Sequence, residues 1–310
     1  MDSGSHKAIL TGLHAFLSAA EHGSFSHAAE HLAVPQSSVT RQIAALEERL
    51  GCRLFERHRR GVTLTPEGIE YHAEVKPAYE RILAASRRMR RRDKSHELLV
   101  RIYPTFAARW LIRRMPSFNI WAPGVRLSLD VNVAAVDFDR ADVDIAIQFG
   151  DGRWPNATAE FIFGDEIEPV CSPQLIAEHG PLETVADLSK VLLLQSRYRR
   201  DDWKAWLEAN TELWPQIRTM EFHSSVLTYQ ACLDGLGVAM GQTLLLQQEL
   251  AEGKLVRPLG RPLTRPHLGY YLVSPSKREM SAAARKFRNW LFSEAHGSGG
   301  TASTMSTSAG

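Results

Sequence analysis

The stretch His14–Gly68, HAFLSAAEHGSFSHAAEHLAVPQSSVTRQIAALEERLGCRLFERHRRGVTLTPEG, decides the fold of the N-terminal third of the chain. Leu13, Phe16, Leu17 and Ala20, with Ile9 just upstream, recur at helical spacing and predict a helix over 8–22 that Gly23 ends. Ser24 or Ser26 can cap a second, short helix with Phe25, Ala28, Ala29 and Leu32 facing inward. Ala33-Val34-Pro35 then breaks the chain. Pro35 suits the first turn of a third helix, where its missing N–H costs nothing. In that helix Val39, Ile43, Leu46 and Leu50 make one apolar stripe, and Gly51 stops it. Gly61 sits between Arg59-Arg60 and the β-prone Val62-Thr63-Leu64, which predicts a small two-stranded wing. Thr65 can cap a further helix, with Pro66 at its first position and Glu67 in its first turn.

Two helices joined by a short turn, the second polar on its outer face, form a helix-turn-helix whose second helix can enter a DNA major groove. On that face Gln36, Ser37, Ser38 and Thr40 can hydrogen-bond base edges, and Arg41 can pair with guanine or a phosphate. Arg53, Arg57, Arg59 and Arg60 can hold the flanking phosphates, giving affinity without sequence choice. Charge agrees: residues 1–94 carry 15 Lys and Arg against 11 Asp and Glu, a net of +4. The remainder is near neutral at −2, and all seven tryptophans lie in it, from Trp110 to Trp290. A small basic domain followed by a larger neutral one fits 310 residues.

Working outward, residues 67–94 read as one long helix. Val75, Tyr79, Ile82 and Met89 repeat along it in the manner of a coiled-coil seam, which predicts a dimerisation helix. Pro77 removes one of its backbone bonds, and RRMRRRDK places cations at its end. From 96 to 295 short apolar runs alternate with amphipathic segments. Strands are expected at 98–103, 143–148 and 217–222 and in KLVRPL. Helices are expected at 106–119, 137–141, 225–234, 243–251 and 279–294. The alternation predicts an α/β domain of two largely parallel sheets with a cleft between two lobes. Residues 296–310, rich in Gly, Ser and Thr, read as a disordered tail.

Several chemistries are excluded. No apolar run approaches the ~18 residues of a membrane span, and no apolar leader opens the chain. Cys52, Cys171 and Cys232 are too few and too far apart for a disulfide scaffold or a CxxC zinc site, which points to a reducing cytoplasm. The twelve histidines show no HExxH, and no GxSxG, P-loop or GxGxxG is present, so neither enzyme, metal nor cofactor is expected.

The quoted stretch resembles the N-terminal domain of LysR-type transcriptional regulators. The likeness lies in its FLSAAEHGSF opening, the QSSVTRQI recognition helix, LEERLGCRLF and the LTPEG exit. FAARWLIRRMPSFNIWAPGVRLSLDV, DVDIAIQFGDGRWP, PVCSPQLI and GLGVAMGQTLL are similar to the effector domain of that family. Their likeness is greatest to the branch holding the glycine-cleavage activator and the β-lactamase regulator. The resemblance implies an all-α winged helix-turn-helix over 8–66, a linker helix over 67–94, and a two-lobed effector domain over 96–295 like type 2 periplasmic binding proteins. It also implies a bacterial, homo-oligomeric regulator, dimer or tetramer, with double-stranded DNA, a small effector and RNA polymerase as candidate partners. Arg41 matches the family pattern; Thr40 stands where Ser is usual, and Pro35 where Ser or Thr is common.

For the effector, Thr105, Gln148, Ser224 and Ser225 fall at or just beyond the carboxyl ends of expected strands, where open α/β sheets bind ligands. Gln148 replaces the Arg often found at its position, which weakens a charged clamp there. Helix N–H groups beside Ser224 favour negative charge, so a small polar, anionic effector is expected. The competing reading is a small-molecule-binding protein or enzyme built on the α/β domain alone.

Overall fold

The computed structural model describes residues 3–59, 61–91, 96–210 and 217–297. Arg60, the last residues of the expected linker helix and the tail beyond 297 lie outside these. The chain divides into two units, Met1–Arg88 with Asp139–Ala141, and Met89–Phe138 with Asp142–Gly310.

The first unit follows its local signals closely. α1 (Ser3–His22) ends at Gly23, whose φ is +60°. α2 (Phe25–Leu32) is capped by Ser24, whose hydroxyl accepts from the His27 amide. It stops at Ala33, held left-handed at φ 52° with its N–H on the carbonyls of Ala29 and Glu30. α3 (Gln36–Leu50) begins one residue later than expected. Pro35 is the N-cap, extended at ψ 143°, because the residue before the helix must be extended while its carbonyl starts the ladder. β1 (Phe55–His58) and β2 (Gly61–Leu64) pair antiparallel as the wing. α4 (Pro66–Arg91) starts at Thr65, whose hydroxyl accepts from the Gly68 amide at 3.0 Å and donates to the Arg53 carbonyl at 2.7 Å. Phe16, Ala19, Phe25, Ala28, Val39, Ile43, Leu46 and Leu54 form the core of this unit.

The second unit opens with β3 (Glu97–Ile102) and α5 (Pro104–Phe106). A π-helical turn at Ala107–Leu111 leads into α6 (Ile112–Trp121), followed by β4 (Arg126–Val131). Residues 137–141 form a turn rather than the expected helix. β5 (Ile145–Gly150), β6 (Ala157–Val170), α7 (Pro173–His179), β7 (Leu192–Ser196), α8 (Asp201–Asn210) and β8 (Arg218–Phe222) come next. The chain closes with α9 (Ser225–Leu233), β9 (Val238–Gln242), α10 (Gln247–Ala251), β10 (Leu263–Pro275) and α11 (Ala282–Gly297).

Instead of two sheets there is one of eight strands, ordered β4-β3-β5-β10-β6-β9-β7-β8. β6 and β10 are the reason. Each is long enough to serve both halves, and they run antiparallel to each other and to their outer neighbours β5 and β9. Their pairing slips between Arg265 and Gly269, opposite Asp165 and Gly164, where the strands pass from one half to the other. The expected strand in KLVRPL reduces to a single bridge between Val256 and Cys171. The buried apolar residues divide between two lobes. One lobe gathers Ile102, Phe106, Trp110, Ile147, Phe287 and Trp290; the other gathers Ile167, Leu193, Trp203, Trp206 and Met240 in one cluster and Val170, Leu194, Tyr229 and Leu246 in a second.

Candidate DNA interface and effector cleft

On α3 burial separates the two faces. Val39, Ile43 and Leu46 are fully buried, which fixes the rotation of the helix; Gln36, Ser37 and Arg41 are exposed, and Ser38 and Thr40 half-buried. Ser38 is already engaged, its hydroxyl accepting from the Gln42 amide at 3.2 Å. No side-chain hydrogen bond of Gln36, Ser37, Thr40 or Arg41 is found among the described residues, so these four are the candidate reading surface. Arg53 and Arg59 are exposed. Arg57 lies over the Phe25 ring, 5.1 Å from its centroid, which ties the first wing strand to α2.

Two contacts that sequence patterns did not reveal aim the wing. Glu47 Oε1 accepts the amides of Leu54 and Phe55 at 2.7 and 3.2 Å, clamping the chain between α3 and β1. The Gly23 carbonyl accepts the Val62 amide at 2.9 Å, and a Cβ on Gly61 would lie 2.3 Å from that same oxygen. Only glycine lets the hairpin approach the α1–α2 turn so closely.

The stripe on α4 divides. Val75 and Tyr79 pack against the core of their own unit, Tyr79 with its ring 5.7 Å from His14. Ile82 and Met89 are exposed, as is Leu83 beside them.

In the second unit the residues at strand ends converge. Thr105 follows β3 and is buried in α5; Ser224 is the N-cap of α9 after β8, and Ser225, buried, is its first residue. Gln148 is committed elsewhere. Its Oε1 accepts the Val136 amide at 3.0 Å and its Nε2 donates to the Ala134 carbonyl at 2.8 Å, so both polar ends hold the 134–136 loop. These two bonds tie it to that loop and use one of its two amide N–H groups.

The charge in this region comes from a place that sequence reasoning passed over. Directly after β7 the run RYRRDD looks like a solvated face, and Arg200 is indeed exposed, paired with Glu221. Arg199, one residue earlier, is buried. Its Nε donates to Asp202 at 2.5 Å and its Nη2 to Asp165 at 3.0 Å, while its plane lies over the Phe149 ring at 4.4 Å. Arg265 completes the cluster, donating from Nε to Asp165 at 2.7 Å and reaching Asp202 at 2.9 Å. Gln242 donates to Asp165 and accepts from Tyr270. Burial pushes the Asp165 carboxyl up, but Arg199, Arg265 and the Gln242 amide outweigh it and hold the carboxyl below its ordinary value. Two cations thus balance two anions at the point where β6 and β10 cross between lobes. Burial also raises the Tyr229 and Tyr270 phenols, which stay neutral.

Cys171 and Cys232 are buried and free, and burial pushes their thiols up to about 11 and about 12. Neither has the thiolate character that oxidation or metal binding needs. Among the described residues no group of His, Cys, Asp and Glu could hold a metal ion, and no helix is long and apolar enough to cross a membrane.

Comparison with known proteins agrees with this arrangement. Residues 10–69 match the family model "Bacterial regulatory helix-turn-helix protein, lysR family", and residues 91–295 match "LysR substrate binding domain". The chain is 36% identical to the glycine cleavage system transcriptional activator of Escherichia coli K12 over 92% of its own length and 93% of that protein. The solved effector domain of the transcriptional regulator AmpR of Pseudomonas aeruginosa superposes with a TM-score of 0.57 and 30% identity, covering 64% of this chain and 95% of that one. CrgA of Neisseria meningitidis, a LysR-type transcriptional regulator, aligns over 92% of this chain and 98% of its own, with a TM-score of 0.55 and 26% identity. The first two stand on the branch that the effector-domain stretches resemble in sequence.

Proposed function

Since the chain belongs to the LysR family of transcriptional regulators, we propose that it reads an operator through Gln36, Ser37, Thr40 and Arg41, with Ser38 bracing them. Arg53, Arg59 and Arg60 hold phosphates on either side. The observation that carries this reading is the polar face of α3, with Gln36, Ser37 and Arg41 exposed, opposite a fully buried Val39-Ile43-Leu46 face. A helix held so firmly presents its polar side chains at fixed angles, which base readout requires.

A small polar anion in the cleft then sets activity. Thr105, Ser224 and Ser225 supply donors at the strand ends, and the free N–H groups at the start of α9 favour negative charge. Copies associate through Ile82 and Met89 of α4. Val75 and Tyr79 hold that helix to its own domain. Exposed Ile120, Trp121 and Val131 near one sheet edge and Met220 and Leu227 near the other support further contact between effector domains, and thus a dimer or tetramer. RNA polymerase is the partner through which such an assembly acts, in the cytoplasm.

The test is a gel shift on DNA upstream of the gene for this chain. Saturable binding is expected. Arg41→Ala should weaken it by about 1–3 kcal/mol and relax base preference. Full retention of affinity and preference would remove α3 as the reading helix.

A further inference from the structure

We infer that Arg199 Nη1 and the Ser196 hydroxyl form a carboxylate-binding end to the cleft, so that the effector is a small carboxylic acid bound as its monoanion. This rests on the cleft reading above and narrows it from a polar anion to one functional group and one anchoring pair.

Both atoms are buried and neither has a hydrogen-bond partner among the described residues. Folded proteins leave few buried donors unpaired, because each forfeits its bond to water without replacement. Ser196 ends β7 and is the N-cap of the one-turn 3-10 helix Arg197–Arg199. Ser196 is extended at ψ 133° and enters that turn, and Arg199 is its last residue. The turn lies beyond the carboxyl end of a strand that runs parallel to both its neighbours, the ligand position of open α/β sheets. The guanidinium cannot turn away. Asp202 holds Nε, Asp165 holds Nη2, and the Phe149 ring covers one face. Nη1 therefore points where its neighbours leave it, before any ligand arrives.

The chemistry of the unpaired set selects the ligand. Guanidinium N–H groups can only donate, and the hydroxyls and the α9 N–H groups are free to donate, which suits a group with several acceptor lone pairs and no need of a proton. Arg199 and Arg265 are already balanced by Asp165 and Asp202, so a single added charge is better matched than the two of a phosphate.

Acetate is the smallest probe of this end, with acetamide as its uncharged counterpart. Against the full chain, acetate should bind with a Kd of about 1–10 mM, weak because so few atoms contribute. It should raise the melting temperature progressively up to about 100 mM, and acetamide should not. Ser196→Ala should weaken acetate about tenfold. It removes a hydroxyl that bonds nothing among the described residues, so it folds whether or not the second variant does. Arg199→Lys keeps the charge but loses the fixed planar fork, and should weaken acetate at least as much. Acetate binding that survives both substitutions but fails in Thr105→Val overturns the Arg199 subsite and leaves the cleft reading standing. Binding that none of the three alters overturns both. No binding at about 100 mM, or equal binding of acetamide, overturns the carboxylate assignment.

Discussion

Replacing Glu47 by Ala tests how the DNA-binding unit aims its wing. Glu47 Oε1 is the acceptor recorded for the amides of Leu54 and Phe55, two residues that are 0% and 5% exposed. A hydrogen bond to a charged acceptor contributes about 1.5–3 kcal/mol, and a buried amide left without one costs a comparable amount. The two amides share one oxygen, so the joint loss is less than twice the single figure: about 2–3 kcal/mol. For a unit of this size, with a urea dependence of about 1 kcal/mol per molar, the unfolding midpoint should fall by about 2–3 M. The protein supplies its own control. All seven tryptophans lie between Trp110 and Trp290, so fluorescence follows the effector domain while far-UV circular dichroism follows helices in both units. Glu47→Ala should bring forward one part of the dichroism transition and leave the fluorescence midpoint in place. Glu47→Gln, which retains a neutral acceptor, should lose about half as much. A dichroism curve identical to the parent, or a fluorescence midpoint displaced equally, would refute the clamp.

Three further outcomes follow from the geometry. Gly61→Ala forces a Cβ into the Gly23 carbonyl at a φ of +141°, so the wing should lift from the α1–α2 turn; fluorescence anisotropy should show weaker operator binding, by about 1–3 kcal/mol, with unchanged base preference. Ile82→Glu buries a charge in the proposed α4 seam and should shift light scattering toward smaller species; an unchanged mass would remove Ile82 from the interface. Asp165→Asn leaves Arg199 and Arg265 undercompensated and should cost the fluorescence-detected domain about 3–5 kcal/mol at neutral pH. Because the folded Asp165 carboxyl lies below its unfolded value, its stabilisation is present above the ordinary carboxylate range and fades as pH falls through the depressed value. The gap between parent and variant should therefore close in acid; a gap constant with pH would contradict the assignment.

The sequence by itself determined the helix-turn-helix, because every signal there is local. Ser24 and Thr65 cap within three residues, Gly23 and Gly51 end their helices at positive φ, and the Val39-Ile43-Leu46 stripe repeats with the helical period. The positions of Thr105, Ser224 and Ser225 just beyond strands β3 and β8 were legible for a related reason: the periodicity gives those strands. Pairings between distant segments were not legible. One eight-stranded sheet replaced two because β6 and β10 are long enough to cross both lobes, a matter of register that local patterns do not carry. Val75 and Tyr79 share the period of Ile82 and Met89, yet the packing of α1 takes the first two into their own core. Arg199 and Arg200 are adjacent and chemically identical. One is exposed and the other is locked to Asp165 and Asp202, because burying a cation is tolerable only where the fold delivers carboxylates from elsewhere to meet it. Charge in a sequence is a local fact; whether it is buried, paired or left with a free donor is a property of the tertiary structure alone.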